Sequence, residues 1–147
     1  MSGAAEAKAL VKAARVATLA TVASDGSPLA TLVAVSADGE GRPVFLLSSL
    51  AEHTKNLRAD ARASVLISGA ESSSLDRPRV TLSGRVMWLT GDDAEAAKQR
   101  FVSTHDEAKV WVTLKDFQPA RLELESIRFV AGFARAQSVT VDAYLPA

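Results

Sequence analysis

Residues 44–60 read Val-Phe-Leu-Leu-Ser-Ser-Leu-Ala-Glu-His-Thr-Lys-Asn-Leu-Arg-Ala-Asp and join an apolar run to a helical pattern. The four leading residues are apolar, which predicts one short buried strand. Ser49 stands three residues before Glu52, which is the spacing of a capping box and predicts the start of a helix. The segment therefore predicts a buried strand that turns directly into a helix.

A strand-to-helix junction of this kind is a candidate anion site. Free backbone N–H groups and the positive end of the helix dipole both favour negative charge, above all a phosphate. His53, Thr54, Lys55 and Asn56 follow within two turns and can add hydrogen-bond donors. An ordinary helix cap that binds nothing is the alternative interpretation.

The composition excludes several classes of function. The chain has 147 residues, and its 17 basic and 17 acidic side chains balance, which argues against nucleic acid or an anionic membrane as a partner. No cysteine is present, so disulfides, thiolate metal sites and cysteine nucleophiles are excluded. Two histidines cannot form a multi-histidine metal site, and no metal is predicted. No apolar run is long enough to span a membrane, so we expect a soluble cytoplasmic protein.

Alternating apolar residues and turn signals predict the other elements. Strands are predicted from Arg15 and over residues 29–35, 44–47, 63–68, 79–89, 119–125 and 127–135, with 138–145 as an edge strand or tail. Helices are predicted over 4–14, after Ser49, and from Asp92 to about His105, while 108–115 fits either pattern.

Strands outnumber helices in this pattern, and the helices are inserted between strands rather than alternating with them. Six to eight strands with two or three helices predict a mainly β (α+β) fold, an antiparallel sheet closed into a small barrel with peripheral helices. No linker or repeat interrupts the chain, so residues 1–147 are predicted to form one domain. Within it, residues 1–14 are an N-terminal helix and residues 137–147 a C-terminal tail.

Motifs spread along the chain carry a family resemblance. The turn at 25–28 and the segment 47–64 resemble the FMN-binding split-barrel proteins of the pyridoxamine 5'-phosphate oxidase-like superfamily. More narrowly, residues 15–136 resemble the haem-utilisation (HugZ-like) branch of this superfamily. Its motifs are His-Thr-x-Asn-Leu at 53–57, Arg-Val-Thr-Leu-x-Gly at 79–84, Lys-Asp-Phe at 115–117 and Val-Ala-Gly-Phe-Ala-Arg-Ala at 130–136.

The resemblance implies a homodimer that binds FMN at the subunit interface of a split β-barrel. The expected function is that of an FMN-binding oxidoreductase acting on a small-molecule substrate, with no particular catalytic side chain implied. The residues implied to hold the phosphate are Ser48, Ser49, His53, Thr54, Lys55 and Asn56. Those implied to meet the flavin ring are Thr31, Val33, Arg79 and Thr81.

Departures from the family pattern leave an alternative open. No Arg-x-His element follows Arg128, which argues against oxidation of pyridoxamine phosphate itself. The alternative is a non-catalytic flavin- or haem-binding protein, or HugZ-like haem degradation, in which the iron would need His53, His105 or Tyr144 as its ligand. Four aromatic residues can wall a flat ring or a dimer interface, or be ordinary core residues: Trp88, Trp111, Phe117 and Phe133.

Overall fold

The computed structural model describes residues 1–69, 75–132 and 135–146. Its strands are β1 (Val16–Val22), β2 (Pro28–Ala37), β3 (Pro43–Ser48), β4 (Arg62–Ser68), β5 (Arg79–Trp88), β6 (Phe117–Val130) and β7 (Ala136–Val139). Its helices are α1 (Gly3–Ala13), α2 (Glu52–Ala59), α3 (Gly91–Thr104), α4 (Ala108–Trp111) and α5 (Val141–Tyr144). None of the helices in these ranges is both long enough and apolar enough to cross a lipid bilayer.

Six of the strands close into a barrel. The sheet order is β3-β2-β1-β4-β5-β6-β7, and β3 also pairs with β6, so the barrel closes and β7 extends the free edge of β6. All pairings are antiparallel, which confirms the predicted mainly β barrel. Five helices occur in the described ranges instead of two or three, because two of them are short turns of four residues each.

Side chains that alternate along each strand fill the barrel. In β5, for example, Val80, Leu82, Gly84 and Val86 are buried, and the residues that alternate with them are more exposed. Burying such apolar side chains stabilises the fold by about 1.5–3 kcal/mol each. The inner core contains Leu19, Val35, Phe45, Val65, Leu82 and Leu122, all fully buried.

Strand β6 is one continuous element of 14 residues, so the prediction of two strands over 119–125 and 127–135 is wrong. A register shift between Ser83 and Gly84 leaves Glu125 as the extra residue of a bulge. The polar Glu-Ser pair in the middle of the sequence therefore marks a bulge in the strand and not a break between two strands.

The end of the described chain is ordered by contacts to the barrel. Residues 136–139 form the edge strand β7, and the short helix α5 follows it, so an edge strand occurs only at the start of the predicted segment 138–145. Tyr144 is fully buried, and its hydroxyl donates a 2.6 Å hydrogen bond to the carbonyl oxygen of Gly41. Burial raises the pKa of this hydroxyl, which therefore stays protonated and able to donate.

The helix starts predicted at Ser49 and Asp92 differ from those in the structure. Helix α2 begins at Glu52 with Ala51 as its N-cap and no side-chain cap, because the N–H of Ser49 instead donates to the carbonyl oxygen of Asp116 at 2.6 Å. The predicted capping box at Ser49 is therefore wrong. Helix α3 begins at Gly91, so Asp92 lies inside its first turn. A carboxylate there is stabilised by the positive end of the helix dipole.

Candidate functional site

The barrel splits between β2 and β3. Strand β2 pairs with β1 over residues 28–34 but with β3 only over 35–37, while β3 pairs with β6 over 44–48. Residues 32–34 and 46–48 therefore diverge from one another. The space between them, closed by Ala51, His53, Trp111 and Phe117, is a cavity of about 190 Å³ that we call the split cavity.

His53 lines this cavity, and one of its ring nitrogens has no hydrogen-bond partner. Its Nδ1 lies 3.2 Å from the Thr31 hydroxyl, which itself lies 3.4 Å from the carbonyl oxygen of Leu19. A carbonyl can only accept, so the Thr31 hydroxyl donates to Leu19 and the His53 Nδ1–H donates to Thr31. Nε2 then carries a lone pair, and this buried atom has no hydrogen-bond partner. This tautomer of imidazole can bind a metal ion through Nε2.

Burial lowers the pKa of His53 from its usual 6.5, because an apolar environment disfavours the imidazolium. The unfolded chain therefore takes up a proton at a pH where the native protein does not, and native stability falls as the pH drops below about 6.5. Lowering the pH from about 7.5 to about 5.5 should reduce the urea midpoint of both proteins. We expect the reduction to be larger in the wild-type protein than in His53→Gln. Equal falls in the two proteins would show that His53 does not titrate in this way.

Two aromatic rings line the split cavity. The rings of Trp111 and Phe117 stack with their centroids 6.1 Å apart and an angle of 5° between their planes. Trp88, in contrast, carries the Arg58 guanidinium over its ring at 4.5 Å and does not line the cavity. Phe133 lies outside the described residues. Apolar aromatic rings and an imidazole that line one cavity suit a planar aromatic ligand.

Four of the ten predicted site residues gather at the split cavity. Val33, Ser48 and His53 line it, and Thr31 contacts it through its hydrogen bond to His53. Arg79 and Thr81 lie on β5, three strands away from β2 in the sheet order. The sequence resemblance therefore groups residues that the structure places in two separate regions.

The remaining predicted residues belong to α2 and the turn before it. Asn56 is buried and donates a 3.0 Å hydrogen bond to the hydroxyl of Thr21, so its amide faces the interior. Thr54 is fully buried, and its hydroxyl has no partner. Lys55 is exposed and pairs with Glu52 at 3.3 Å, while Ser49 is exposed. The assignment of these residues to a cofactor stays a prediction.

Sequence reasoning missed part of the cavity wall. Leu32 and Ala34 line the cavity, although Leu32 is 74% exposed on the outer side of β2. The sequence did contain a sign that both faces of β2 are covered. In an alternating strand one of two neighbouring residues is polar, but Leu32 and Val33 are both large and apolar. Such a pair is typical of a strand with both faces covered.

A second cavity of about 410 Å³ adjoins the first, and we call it the flanking cavity. Both are lined by residues 32–34 and Trp111, and the flanking cavity continues to Arg15 and His105. Small-molecule sites usually enclose about 300–1,000 Å³, so the two cavities together reach that range. Within the described ranges, no group of three or more acidic or histidine side chains is placed to hold a metal ion.

His105 has both ring nitrogens occupied. Its Nε2 donates to the carbonyl oxygen of Arg15 at 2.8 Å, and its Nδ1 lies 2.7 Å from the hydroxyl of Thr104. His105 is also 8% exposed. Its imidazole therefore joins the end of α3 to the start of β1 and leaves no nitrogen free for a ligand.

Comparison with known proteins places the fold in one family. Residues 1–146 match the family model described as "CREG, beta-barrel", and the predicted resemblance to split-barrel proteins is confirmed. A heme-binding protein from Mycobacterium smegmatis is 36% identical, with a TM-score of 0.91 over 99% of this chain and 60% of that protein. The heme storage protein HutZ of Vibrio cholerae, 23% identical over 85% of this chain and 92% of that one, shares the fold with a TM-score of 0.67.

A curated relative is the chloroplastic heme oxygenase HOZ of Arabidopsis thaliana, 33% identical over 112 residues. This alignment covers 76% of the chain but 34% of HOZ, so the chain spans about a third of that protein. Two relatives above 30% identity are named for haem, and the prediction of FMN as the cofactor is therefore wrong. The helix cap that the anion-site argument started from is also absent, because Ser49 does not cap α2.

Proposed function

Because the chain belongs to the CREG β-barrel family, we propose that it binds haem in the split cavity, with His53 as the iron ligand. One observation carries the proposal: the mycobacterial protein that matches 99% of this chain at 36% identity is named for haem binding. The likeness to the Arabidopsis heme oxygenase supports the same ligand.

The residues of the split cavity fit this group. Haem is a flat apolar ring whose iron accepts the lone pair of a neutral imidazole. Trp111 and Phe117 supply apolar aromatic surface, and Nε2 of His53 is a buried nitrogen without a partner, which a ligand reaches once the atoms covering it move aside. The hydrogen bond between His53 Nδ1 and Thr31 fixes the tautomer and orients the ring, as an outer-shell partner does for a metal ligand.

The other candidate iron ligands are engaged elsewhere. Both nitrogens of His105 have partners, and the hydroxyl of Tyr144 donates to Gly41 in a fully buried position. Among the three residues that the sequence offers as iron ligands, only His53 has a ligating atom, Nε2, without a hydrogen-bond partner.

A second copy of the chain is the proposed partner that covers the site. The split cavity alone, at about 190 Å³, is smaller than an ordinary ligand pocket. Leu32 and Leu66, which are 74% and 44% exposed, flank Thr18 in one row across β2, β1 and β4. Such an apolar row beside an open cavity suits a homodimer interface, and sedimentation velocity of the purified protein tests for the dimer.

Haem breakdown is the second candidate function, favoured by the likeness to the Arabidopsis heme oxygenase. Bound haem iron supplies the oxygen chemistry in such a reaction, while this chain would position the ring and exclude water. Release of carbon monoxide and loss of haem absorbance with a reductant under air would support breakdown. Stable haem absorbance under the same conditions would leave binding as the function.

Titration of the purified protein with ferric haem tests the proposal. We expect a shifted Soret band that saturates at one haem per chain. A haem spectrum identical to that of a protein-free control throughout the titration would overturn it.

A further inference from the structure

Arg15 lies at the far end of the groove formed by the two cavities. It lines the flanking cavity, which shares residues 32–34 and Trp111 with the split cavity. On its other side Arg15 lines a third cavity of about 540 Å³ together with Arg77, so a second cation is near this end. The groove therefore has an imidazole at one end and a guanidinium at the other.

The main chain holds Arg15 in place while most of its guanidinium stays available. Its carbonyl oxygen accepts hydrogen bonds from the N–H of Val35 at 3.0 Å and from His105 Nε2 at 2.8 Å. The guanidinium makes one hydrogen bond, to the carbonyl oxygen of Thr104 at 2.8 Å, and no ion pair within the described part of the chain. Its other N–H groups can bind a carboxylate, and an arginine can do so with two parallel bonds.

We propose that Arg15 binds one of the propionate carboxylates of haem when haem lies in the groove. This inference rests on the proposed function. Thr31 contacts His53, and Val35 contacts Arg15. These two residues of β2 are four positions apart, which is about 13 Å in an extended strand. This is a main-chain spacing, and the distance from the iron of haem to its carboxylates is shorter, so the long Arg15 side chain must cover the difference.

Two carboxylates at the flanking cavity oppose this contact. Asp106 and Glu107 also line it, and both are exposed. Their charges repel a propionate, so removing one of them should change haem affinity in the opposite direction to removing Arg15. The proposal thus predicts a weaker complex for Arg15→Ala and a tighter one for Glu107→Gln.

The test compares haem with its dimethyl ester, which has the same ring and iron but no carboxylates. A hydrogen bond to a charged group is worth roughly 1.5–3 kcal/mol, so we expect Arg15→Ala to bind haem about 10- to 100-fold more weakly than the wild-type protein. The ester should bind Arg15→Ala and the wild-type protein equally. Arg100→Ala is the matched control, since Arg100 lines a separate cavity between α3 and the β2–β3 turn, and should bind haem as the wild-type protein does.

The outcomes separate this inference from the proposed function. No binding of haem by the wild-type protein overturns both. Unchanged haem affinity of Arg15→Ala, in a wild-type protein that does bind haem, overturns only the role of Arg15. Equal losses for haem and its ester also overturn that role, because they would show that Arg15 acts on the fold and not on the carboxylate.

Discussion

Gly84→Ala is expected to destabilise the protein by about 3 kcal/mol or more, at or beyond the upper end of ordinary overpacking. A Cβ atom on Gly84 would lie 1.8 Å from the carbonyl oxygen of Glu123 and 3.2 Å from the backbone nitrogen of Glu125. These neighbours are main-chain atoms of β6 at the bulge, so no side chain can rotate away to relieve the overlap. The strands β5 and β6 must separate locally, and their hydrogen bonds are lost with that separation.

Urea unfolding of Gly84→Ala beside Gly39→Ala measures this effect. A Cβ atom on Gly39 would meet its nearest neighbour, a guanidinium nitrogen of Arg100, at an ordinary 3.8 Å. We therefore expect Gly39→Ala to unfold close to the wild-type midpoint. Similar midpoints for the two alanine variants would contradict the role of Gly84 as the site of close strand approach.

His53→Ala is expected to lower haem affinity on the order of 100-fold, because even outer-shell partners of a metal ligand contribute 10- to 100-fold. Nε2 of His53 is the imidazole nitrogen left without a partner in the structure. The spectrum of any haem that still binds should lose the features of imidazole ligation. Added free imidazole should restore these features, because the truncated side chain leaves room where the ring was.

His105→Gln is the matched control for His53→Ala. His105 bonds to Arg15 and Thr104 and has no free nitrogen, so its replacement should leave the imidazole features of the haem spectrum in place, whatever it does to stability and to the affinity contributed by Arg15. An unchanged spectrum and affinity in His53→Ala would show that the iron takes another ligand, and the proposed site would then be wrong.

Local patterns predicted the strands well and failed where distant residues decide the outcome. The alternation in β5 identified its buried face, because each alternate side chain meets the core. The same reasoning divided β6 at Glu125-Ser126, since nothing in the local sequence reveals that Gly84 allows a bulge opposite. A polar pair in the middle of an apolar strand looks the same in a bulge and in a loop.

The candidate site was predicted only in part for a similar reason. His53 and Ser48 were found from one contiguous segment, whereas Leu32 and Ala34 reach the cavity from β2, a distant part of the chain. The cavity exists because β2 exchanges its partner between residues 34 and 35, and this exchange has no local signature. The motif around Ser49 indicated a phosphate because hydroxyls near a helix start look alike whether or not they cap the helix.

The position of β6 late in the chain also determines when the barrel can close during synthesis. Residues 44–48 of β3 pair with residues 117–121, so this ladder has no second strand until the ribosome has delivered most of the chain. The hairpin of β1 and β2 and the pair of β4 and β5 have their partners much earlier. The groove beside His53 is consequently among the last features that a growing chain can assemble, and a nascent chain halted before Phe117 lacks the strand that pairs with β3 beside it.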